Sequence, residues 1–221
     1  MHETTQVTYG EGTITVIMSS DSTSEVAAPD IRFLDYNEAA QRCFTEKELS
    51  QIYAGDPAKV NLEFIMSDEL SDSFEHEQFF SNIPTTQKGQ EPYHEGVYIS
   101  IDGTKEVGEE KPQAFDSFSE EVEMQLDIPL YLVAENRSYY ILANRMGAFE
   151  LLEDTDEDDD TFTIMNRNLG TTLLLYRDNA QNKNVSGQTF RISSRHLAIA
   201  CIIFLVLIWV IIDRLHRKDR H

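Results

Sequence analysis

The sequence predicts a mainly β protein: an antiparallel, Ig-like β-sandwich of seven or eight strands with one or two short helices, followed by a C-terminal transmembrane helix. Three observations lead to this prediction. Short runs of alternating apolar and polar residues recur through the first 178 residues, turn-forming residues separate them, and an uncharged apolar run lies near the end of the chain. No long helical pattern separates the strands, which favours a sandwich over a βαβ fold.

The chain is predicted to begin with a strand-containing segment over residues 1–40. Residues 13–18 (TITVIM) are mostly β-branched and favour a strand, and a loop rich in Ser, Thr and Asp follows them. This strand is interpreted as the end of a hairpin, and the whole segment as a candidate end of a preceding domain.

An acidic sandwich domain is predicted over residues 41–178. Its first element is a short helix over 46–53, because Thr45 and Glu48 have the spacing of a capping box and Gly55 and Pro57 end the pattern. A second short helix is predicted over 73–80. Asp102-Gly103 and 144–147 are interpreted as hairpin turns. The predicted strands cover residues 60–66, 96–101, 105–107, 122–128, 138–143, 148–152, 161–165 and 171–176.

Residues 196–213 are predicted to cross a membrane as a helix. Their centre, residues 197–212, reads LAIACIIFLVLIWVII without a charged residue. As a helix this run is about 24 Å long, so flanking residues must help to span a hydrocarbon core of about 30 Å. His196 and Asp213 can extend toward the two interfaces, and Trp209 lies near the second one. The polar residues 179–195 are predicted to form a flexible stalk, and 214–221 a basic tail.

Two signals conflict on the orientation of this predicted span. Four basic residues follow it and two precede it closely, which places the tail in the cytoplasm and the large domain outside the cell. The first thirty residues, however, contain neither a basic n-region nor an apolar h-region of an export signal. The sequence therefore leaves two expectations open: an export signal lies upstream of Met1, or the chain is tail-anchored with its domain in the cytoplasm.

The charge of the domain excludes one class of partner. Residues 1–189 hold 12 Lys and Arg against 37 Asp and Glu, a balance of −25, whereas the remaining residues hold 6 against 2, a balance of +4. Nucleic-acid binding depends on basic residues that displace phosphate counterions, so we do not expect it here. The two cysteines, Cys43 in the domain and Cys201 in the apolar run, give no plausible intramolecular disulfide, and Cys43 is interpreted as a buried small apolar residue.

The order of these segments resembles a repeated module of unknown function in cell-envelope proteins of Gram-positive Firmicutes. The resemblance covers residues 44–178. It rests on the helix motif FTEKEL with AGD, the strands VNLEF, GVYISID and VEMQLDIP, the hairpin YYILANRMG, the acidic turn, and a final TFTI followed by LGTTLLLY. It implies an extracellular, non-enzymatic β-sandwich and makes a missing export signal the better of the two explanations above. No LPxTG-like motif precedes residue 197, so membrane retention is expected instead of covalent attachment to the cell wall.

The acidic run 153–160 (EDTDEDDD) is a weak candidate for a calcium site, with Asp154, Asp156, Asp158 and Asp160 as ligands. It does not fit an EF-hand loop, because the sixth position from Asp154 is not Gly and the twelfth is not Glu. The favoured interpretation is a solvated turn that keeps the end of a hairpin soluble.

Other chemistry-bearing patterns are incomplete. His76-Glu77 begins like a zinc-protease helix, but Phe80 occupies the position of the second histidine. The sequence holds no G-x-S-x-G and no glycine-rich phosphate loop, so no catalytic or cofactor-binding residues are predicted. Four tyrosines could form a binding face, although packing in the core or across strands is favoured: Tyr93, Tyr98, Tyr139 and Tyr140.

These observations predict a non-enzymatic, membrane-anchored cell-surface protein that acts as a spacer, presentation or interaction module. The lipid bilayer is its expected partner, with other cell-envelope proteins as further candidates. The alternative is a tail-anchored adaptor that faces the cytosol, and a membrane-tethered hydrolase is a third possibility that would need groups from distant loops to converge.

Overall fold

The computed structural model describes residues 2–23, 28, 30–145, 147–156, 158 and 160–179, and in this part of the chain it contains eleven strands and three helices. The strands are β1 His2–Tyr9, β2 Gly12–Ser22, β3 Ile31–Phe33, β4 Ala58–Ser67, β5 His94–Val107, β6 Gln113–Phe115, β7 Ser117–Asp127, β8 Arg137–Arg145, β9 Ala148–Glu153, β10 Thr161–Asn168 and β11 Gly170–Asp178. The helices are α1 Tyr36–Arg42, α2 Glu46–Tyr53 and α3 Ser73–Asn82. The predicted mainly β fold is confirmed.

The strands form two sheets of unequal size. The larger sheet has the order β1-β2-β4-β5-β11-β8-β9, with β6 also paired to β5, and the smaller sheet has the order β10-β7-β3. All pairs are antiparallel except β2 with β4, which run parallel. The described residues therefore hold more strands than the seven or eight predicted, three helices instead of one or two, and a mixed sheet.

The parallel pair follows from what lies between its strands. After β2 the chain forms β3, α1 and α2 before β4 begins, so it can return to the starting end of the sheet. A parallel pair needs such a long connection, whereas a two-residue turn gives an antiparallel pair. Of these three connecting elements only α2 was predicted, so the long connection was not expected.

The two sheets face each other across one apolar core. Along β2 every second residue from Gly12 to Ser20 is buried, as expected for a strand with one face on a core. The small sheet contributes residues such as Phe33, Val122 and Phe162, and α1 and α2 add Ala39, Ala40 and Ile52 to the same core. This shared core contains 32 buried residues and accounts for most of the apolar surface that the domain removes from water.

A second apolar cluster lies on the opposite face of the larger sheet. Phe79 of α3, with 0% of its surface exposed, packs against Tyr98, Leu173 and Leu175 of the central strands. Its ring also meets Phe149 edge-to-face at 5.1 Å. The helix therefore covers the β5-β11-β8-β9 half of this face, and consecutive residues of β5, β11 and β8 are buried on both faces of the sheet.

The predicted capping box is present at the start of α2. The side chain of Thr45 accepts a hydrogen bond from the Glu48 amide, and the Glu48 carboxylate accepts one from the Thr45 amide at 2.6 Å. The same carboxylate accepts a hydrogen bond from the ammonium group of Lys105 in β5 at 2.7 Å. This ion pair connects the helix to the large sheet. The helix covers the residues predicted for it, 46–53.

The predicted hairpin at Asp102-Gly103 is wrong, because β5 runs without interruption from His94 to Val107. Gly103 lies inside the strand, where it allows neighbouring side chains to pack closely, and it does not form a turn. A Cβ atom at this position would lie 2.5 Å from Leu169 Cδ1 and 2.7 Å from the ring of Phe115. Because Gly103 has no side chain, those two groups fit against β5. At this point the strand paired to this edge of β5 changes from β11 to β6.

Residues 2–22 form a two-stranded hairpin that pairs with β4 in the large sheet, and the compact unit extends from Met1 to Gln181. The predicted membrane span 196–213 and basic tail 214–221 lie outside the described residues, as does the predicted stalk except for Asn179. Among the described residues, no helix has the length and apolarity needed to cross a membrane.

Candidate functional site

The acidic turn borders an open cleft at one end of the large sheet. The cleft has a volume of about 290 Å³. It lies where β8 begins and β9 ends, and it therefore combines residues from the sheet with residues from the turn. Its lining residues are Arg137, Ser138, Tyr139, Tyr140, Glu153, Asp154, Asp156 and Asp158.

The turn carries the chain from the large sheet to the small one. After Glu153, the last residue of β9, Thr155 leaves the large sheet and pairs with β10. Its amide donates to the Thr163 carbonyl at 2.9 Å, and its hydroxyl donates to the same oxygen at 3.0 Å. At the other end of the turn, the Asp160 carbonyl accepts from the Ile128 amide at 2.9 Å. Both ends of the turn are therefore fixed to the small sheet.

Asp156 is the centre of a polar network inside this turn. Its Oδ2 accepts hydrogen bonds from the Thr163 hydroxyl at 2.6 Å, the Gln125 amide at 3.0 Å and the Thr161 hydroxyl at 3.1 Å. Its Oδ1 accepts from the Asp158 amide at 2.9 Å. Gln125, Thr161 and Thr163 are all buried, so the carboxylate satisfies polar groups that water reaches poorly.

The network continues to the neighbouring strand β3. Arg32 Nε donates to Gln125 Oε1 at 2.7 Å, and its Nη2 makes a second bond to the same oxygen. This leaves the Gln125 side-chain amide to donate to Asp156. The side-chain carbonyl of Gln125 thus accepts from the Arg32 guanidinium, and its amide donates to the Asp156 carboxylate. These bonds fix the orientation of the Gln125 side chain between β3 and the turn.

Two aspartates of the turn have displaced pKa values in opposite directions. Burial acts to raise the pKa of Asp156, but the hydrogen bonds from Thr163, the Asp158 amide, Gln125 and Thr161 outweigh it, and the pKa is lowered. For Asp154, burial dominates and raises the pKa, although its Oδ1 accepts from the Thr163 amide at 3.0 Å and the Asp156 amide at 3.2 Å. Hydrogen bonding therefore favours the anionic form of Asp156, whereas burial disfavours the anionic form of Asp154.

The structure separates the four calcium candidates into two groups. Asp154 and Asp156 direct oxygens to protein donors, whereas Asp158 and Asp160 are exposed. Within the described residues, no group of three or more His, Cys, Asp or Glu side chains has an arrangement that could hold a metal ion. A calcium ion would have to compete with the hydrogen bonds of Asp156, so calcium stays the weak candidate and the solvated turn the favoured interpretation.

The other side of the cleft is built around Arg137. Its Nε donates to Asp178 Oδ1 at 2.7 Å and its Nη1 to the Leu132 carbonyl at 2.7 Å, while the guanidinium lies 4.0 Å from the ring centroid of Tyr176. The hydrogen bond and charge of Asp178 raise the pKa of Arg137 further. The Arg137 guanidinium therefore makes its contacts within the domain.

The four candidate tyrosines pack within the domain. Tyr98, Tyr139 and Tyr140 are buried, with exposures of 2, 4 and 7%, and Tyr93 is half-buried. Tyr93 and Tyr140 meet edge-to-face at 5.0 Å, and Arg177 lies 5.3 and 5.4 Å from their ring centroids. Tyr139 faces the main core instead. The favoured interpretation, packing in the core and across strands, is confirmed.

The isolated histidine and cysteine also have local partners. His76 on α3 stacks on Phe80, and its Nε2 lies 3.9 Å from Glu95. The thiol of Cys43 donates to the Ala39 carbonyl at 3.3 Å, and burial raises its pKa to about 12. Cys43 is therefore a buried apolar side chain, as predicted. Cys201 lies outside the described residues.

One surface feature close to this cleft was not predicted from the sequence. Leu130 and Tyr131 are 90% and 61% exposed, in the loop between β7 and β8. Their sequence signal was the apolar group Leu130–Leu132 directly after Pro129, which alternation alone assigned to no strand or helix.

The hydroxyl groups that meet a carboxylate at this site, those of Thr161 and Thr163, are buried and hydrogen-bonded within the turn. The two best-placed charged groups of the site, Asp156 and Arg137, make hydrogen bonds within the domain. Comparison of this chain with protein-family models, with curated proteins and with solved structures found no match.

Proposed function

We propose that this protein is a non-enzymatic, single-pass membrane protein of the cell surface, whose acidic β domain acts as a spacer, presentation or interaction module. One observation carries the proposal: the domain ends in a strand at Asp178, and an uncharged apolar run of sixteen residues begins at residue 197. This run is long enough to cross a bilayer with the help of its flanks. The intervening residues then serve as the stalk.

The structure of the domain supports an interaction module over a catalyst. Two sheets face each other across one core, which is the arrangement of sandwich-type surface domains and agrees with the module that residues 44–178 resemble. The charged groups of the cleft stabilise the turn and the end of β11. We assign the Ig-like description to this two-sheet core, with the extra strands and α3 as additions outside it.

The orientation in this proposal follows the distribution of basic residues. Four of them, including Arg214 and Arg217, follow the apolar run, and the domain before it is strongly acidic. The positive-inside tendency then places the tail in the cytoplasm and the domain outside. The competing function is a tail-anchored adaptor whose domain faces the cytosol.

Protease accessibility separates the two functions. The native gene would be expressed with its own upstream region and a tag after His221, and intact cells would be treated with an external protease. We expect the domain to be removed while the tag survives. A domain that stays protected until the membrane is opened would contradict surface exposure and establish the adaptor orientation. If the tag were released from the membrane without detergent or membrane rupture, that result would contradict the membrane anchor itself.

A further inference from the structure

The chain leaves the domain at a rigid point. Asp178, the last residue of β11, pairs with Arg137 through a 2.7 Å hydrogen bond, and the next residue is held as well. The Asn179 amide donates to the Asn136 carbonyl at 2.7 Å, and its side chain donates to the Ser138 hydroxyl at 2.8 Å. The start of the predicted stalk is therefore attached to the loop that precedes β8.

That same loop carries the most exposed large apolar side chain of the described residues. Leu130 is 90% exposed and its neighbour Tyr131 is 61% exposed. They occupy the two central positions of a tight turn, which the Leu132 amide closes by donating to the Pro129 carbonyl at 2.8 Å. The turn therefore presents both side chains at its tip.

The base of the turn is held firmly although its tip is exposed. Leu132 is buried, and its carbonyl accepts from the Tyr139 hydroxyl at 2.8 Å and from Arg137 at 2.7 Å. The backbone of the turn is thus held in place before any partner binds, so little backbone ordering is needed on binding. The tip of the turn therefore offers two adjacent large side chains for contact with an apolar surface.

The predicted stalk limits how far this turn can be from the bilayer. Residues 179–195 number seventeen, and a flexible chain of that length has a root-mean-square span of about 23 Å. The turn lies at the point where the chain leaves the domain, within the reach of such a stalk from the proposed anchor. Leucine and tyrosine are suited to that position, because tyrosine prefers the interface between headgroups and acyl chains.

The charges around the turn select the kind of lipid. Asp68 lies near Tyr131, and after burial its charge contributes to raising the pKa of that phenol. Asp178 lies at the exit point, and the acidic turn 153–160 forms the adjoining cleft. An anionic bilayer would repel these carboxylates, whereas a zwitterionic bilayer would leave the apolar contact unopposed.

We propose that Leu130 and Tyr131 insert into the interface of the bilayer that anchors the chain, so that the domain rests on a zwitterionic lipid surface at its β11 exit end. This inference rests on the proposed membrane anchor. It adds a second, weaker attachment that orients the domain relative to the membrane.

The test uses the full chain in vesicles, with tryptophan as a depth probe. Trp209 is the single native tryptophan and would be replaced in a W209F background, into which L130W is introduced. The vesicles would be phosphatidylcholine with or without acyl chains brominated near the headgroup, because bromine quenches nearby tryptophan fluorescence. Leu130 is 90% exposed, so its replacement leaves the packing of the fold unchanged.

A matched control lies at the other end of the sheet. Tyr53 is 62% exposed and contacts Tyr9, next to the β1-β2 turn, while β4 runs from that end toward the exit end over ten residues, or about 33 Å. The Y53W variant in the same W209F background therefore reports on an exposed aromatic residue far from the proposed contact.

We expect vesicle binding to shift the emission of the L130W variant to the blue and brominated acyl chains to quench it. The fluorescence of the Y53W variant should change in neither respect. In vesicles with added phosphatidylserine, the quenching of L130W should fall. If the protein floats with the vesicles but the fluorescence of the L130W variant is not quenched, the lipid contact is overturned and the proposed anchor is supported. Equal quenching of both variants would also overturn it, and so would quenching that rises with phosphatidylserine. Protein that does not float with vesicles would overturn the proposed anchor together with this inference.

Discussion

Replacement of Asp156 by alanine should destabilise the domain by about 2 to 4 kcal/mol. The carboxylate accepts four hydrogen bonds, three of them from the side chains of Gln125, Thr161 and Thr163. A hydrogen bond to a charged group contributes about 1.5 to 3 kcal/mol, and a buried donor that loses its acceptor costs about 1 to 3 kcal/mol. The two threonine hydroxyls can turn toward other acceptors, so the total should remain well below the sum of all four bonds.

The matched control is Asp158→Ala, which removes the same charge from the same turn. Asp158 is exposed, and its amide, not its side chain, donates to Asp156. Its replacement should change stability by no more than about 0.5 kcal/mol. Urea unfolding of the full chain in mild detergent, followed by far-ultraviolet circular dichroism, measures both variants. If the two variants unfold at the same urea concentration, the assignment of Asp156 as the anchor of the turn is refuted.

The pH dependence provides a second measure of the same network. The folded-state pKa of Asp156 lies below its ordinary value of 3.8, so the anionic contacts stabilise the fold above that pH. This contribution is lost as the pH falls through the lowered, folded-state value. The stability advantage of the native chain over D156N, which cannot titrate, should therefore be constant near neutrality and shrink below about pH 3.8. A constant advantage through the acidic range would contradict the network.

Three further substitutions test the packing of the fold, each by urea unfolding. Phe79→Ala should cost about 3 to 5 kcal/mol because that ring is fully buried, whereas Phe80→Ala, 62% exposed in the native chain, should have little effect; equal losses would contradict the assignment of the buried face of α3. Thr45→Ala should cost about 1 kcal/mol through loss of the capping box, and an unchanged midpoint would argue against it. Gly103→Ala should cost about 1 to 3 kcal/mol, because the new Cβ would meet Leu169 and Phe115, and the additional change Leu169→Ala should recover part of that loss.

The elements that could be predicted from the sequence are those whose signal is local. The capping box at Thr45 and Glu48 gave α2 with its observed bounds, and strict alternation gave the centre of β4. Both signals arise from neighbouring residues, through a hydrogen bond in one case and a repeated burial pattern in the other. The segment from 138 to 152 was predicted as a hairpin for the same reason and is one.

The missed elements depend on partners far along the chain. β1 reads HETTQVTY, and in it only Val7 is buried, because the strand lies at the edge of the sheet. α1 buries only the small residues Ala39 and Ala40, which give a weak apolar stripe. At Gly103 the local turn signal was misleading, because the glycine accommodates side chains from residues 115 and 169, and no short-range pattern shows that.

The candidate site was predictable only in its location. The acidic run marked the turn, and the candidate ligands Asp154 and Asp156 do line the cleft. What the run could not show is that Gln125 and Thr163 would surround one carboxylate, since that depends on the pairing of β7 with β10. The exposed pair at 130 and 131 was missed because an apolar dipeptide in a loop looks the same as one in a core.

The position of β11 also determines when the domain can fold during synthesis. β11 is the last strand of the compact unit, yet it lies between β5 and β8, in the middle of the large sheet. Until the ribosome has released residues 170–178, the β1-β2-β4-β5 part and the β8-β9 part cannot join, and each exposes an apolar strand edge. The predicted membrane span follows closely behind, so completion of the sheet and engagement of the membrane should occur at nearly the same stage of translation.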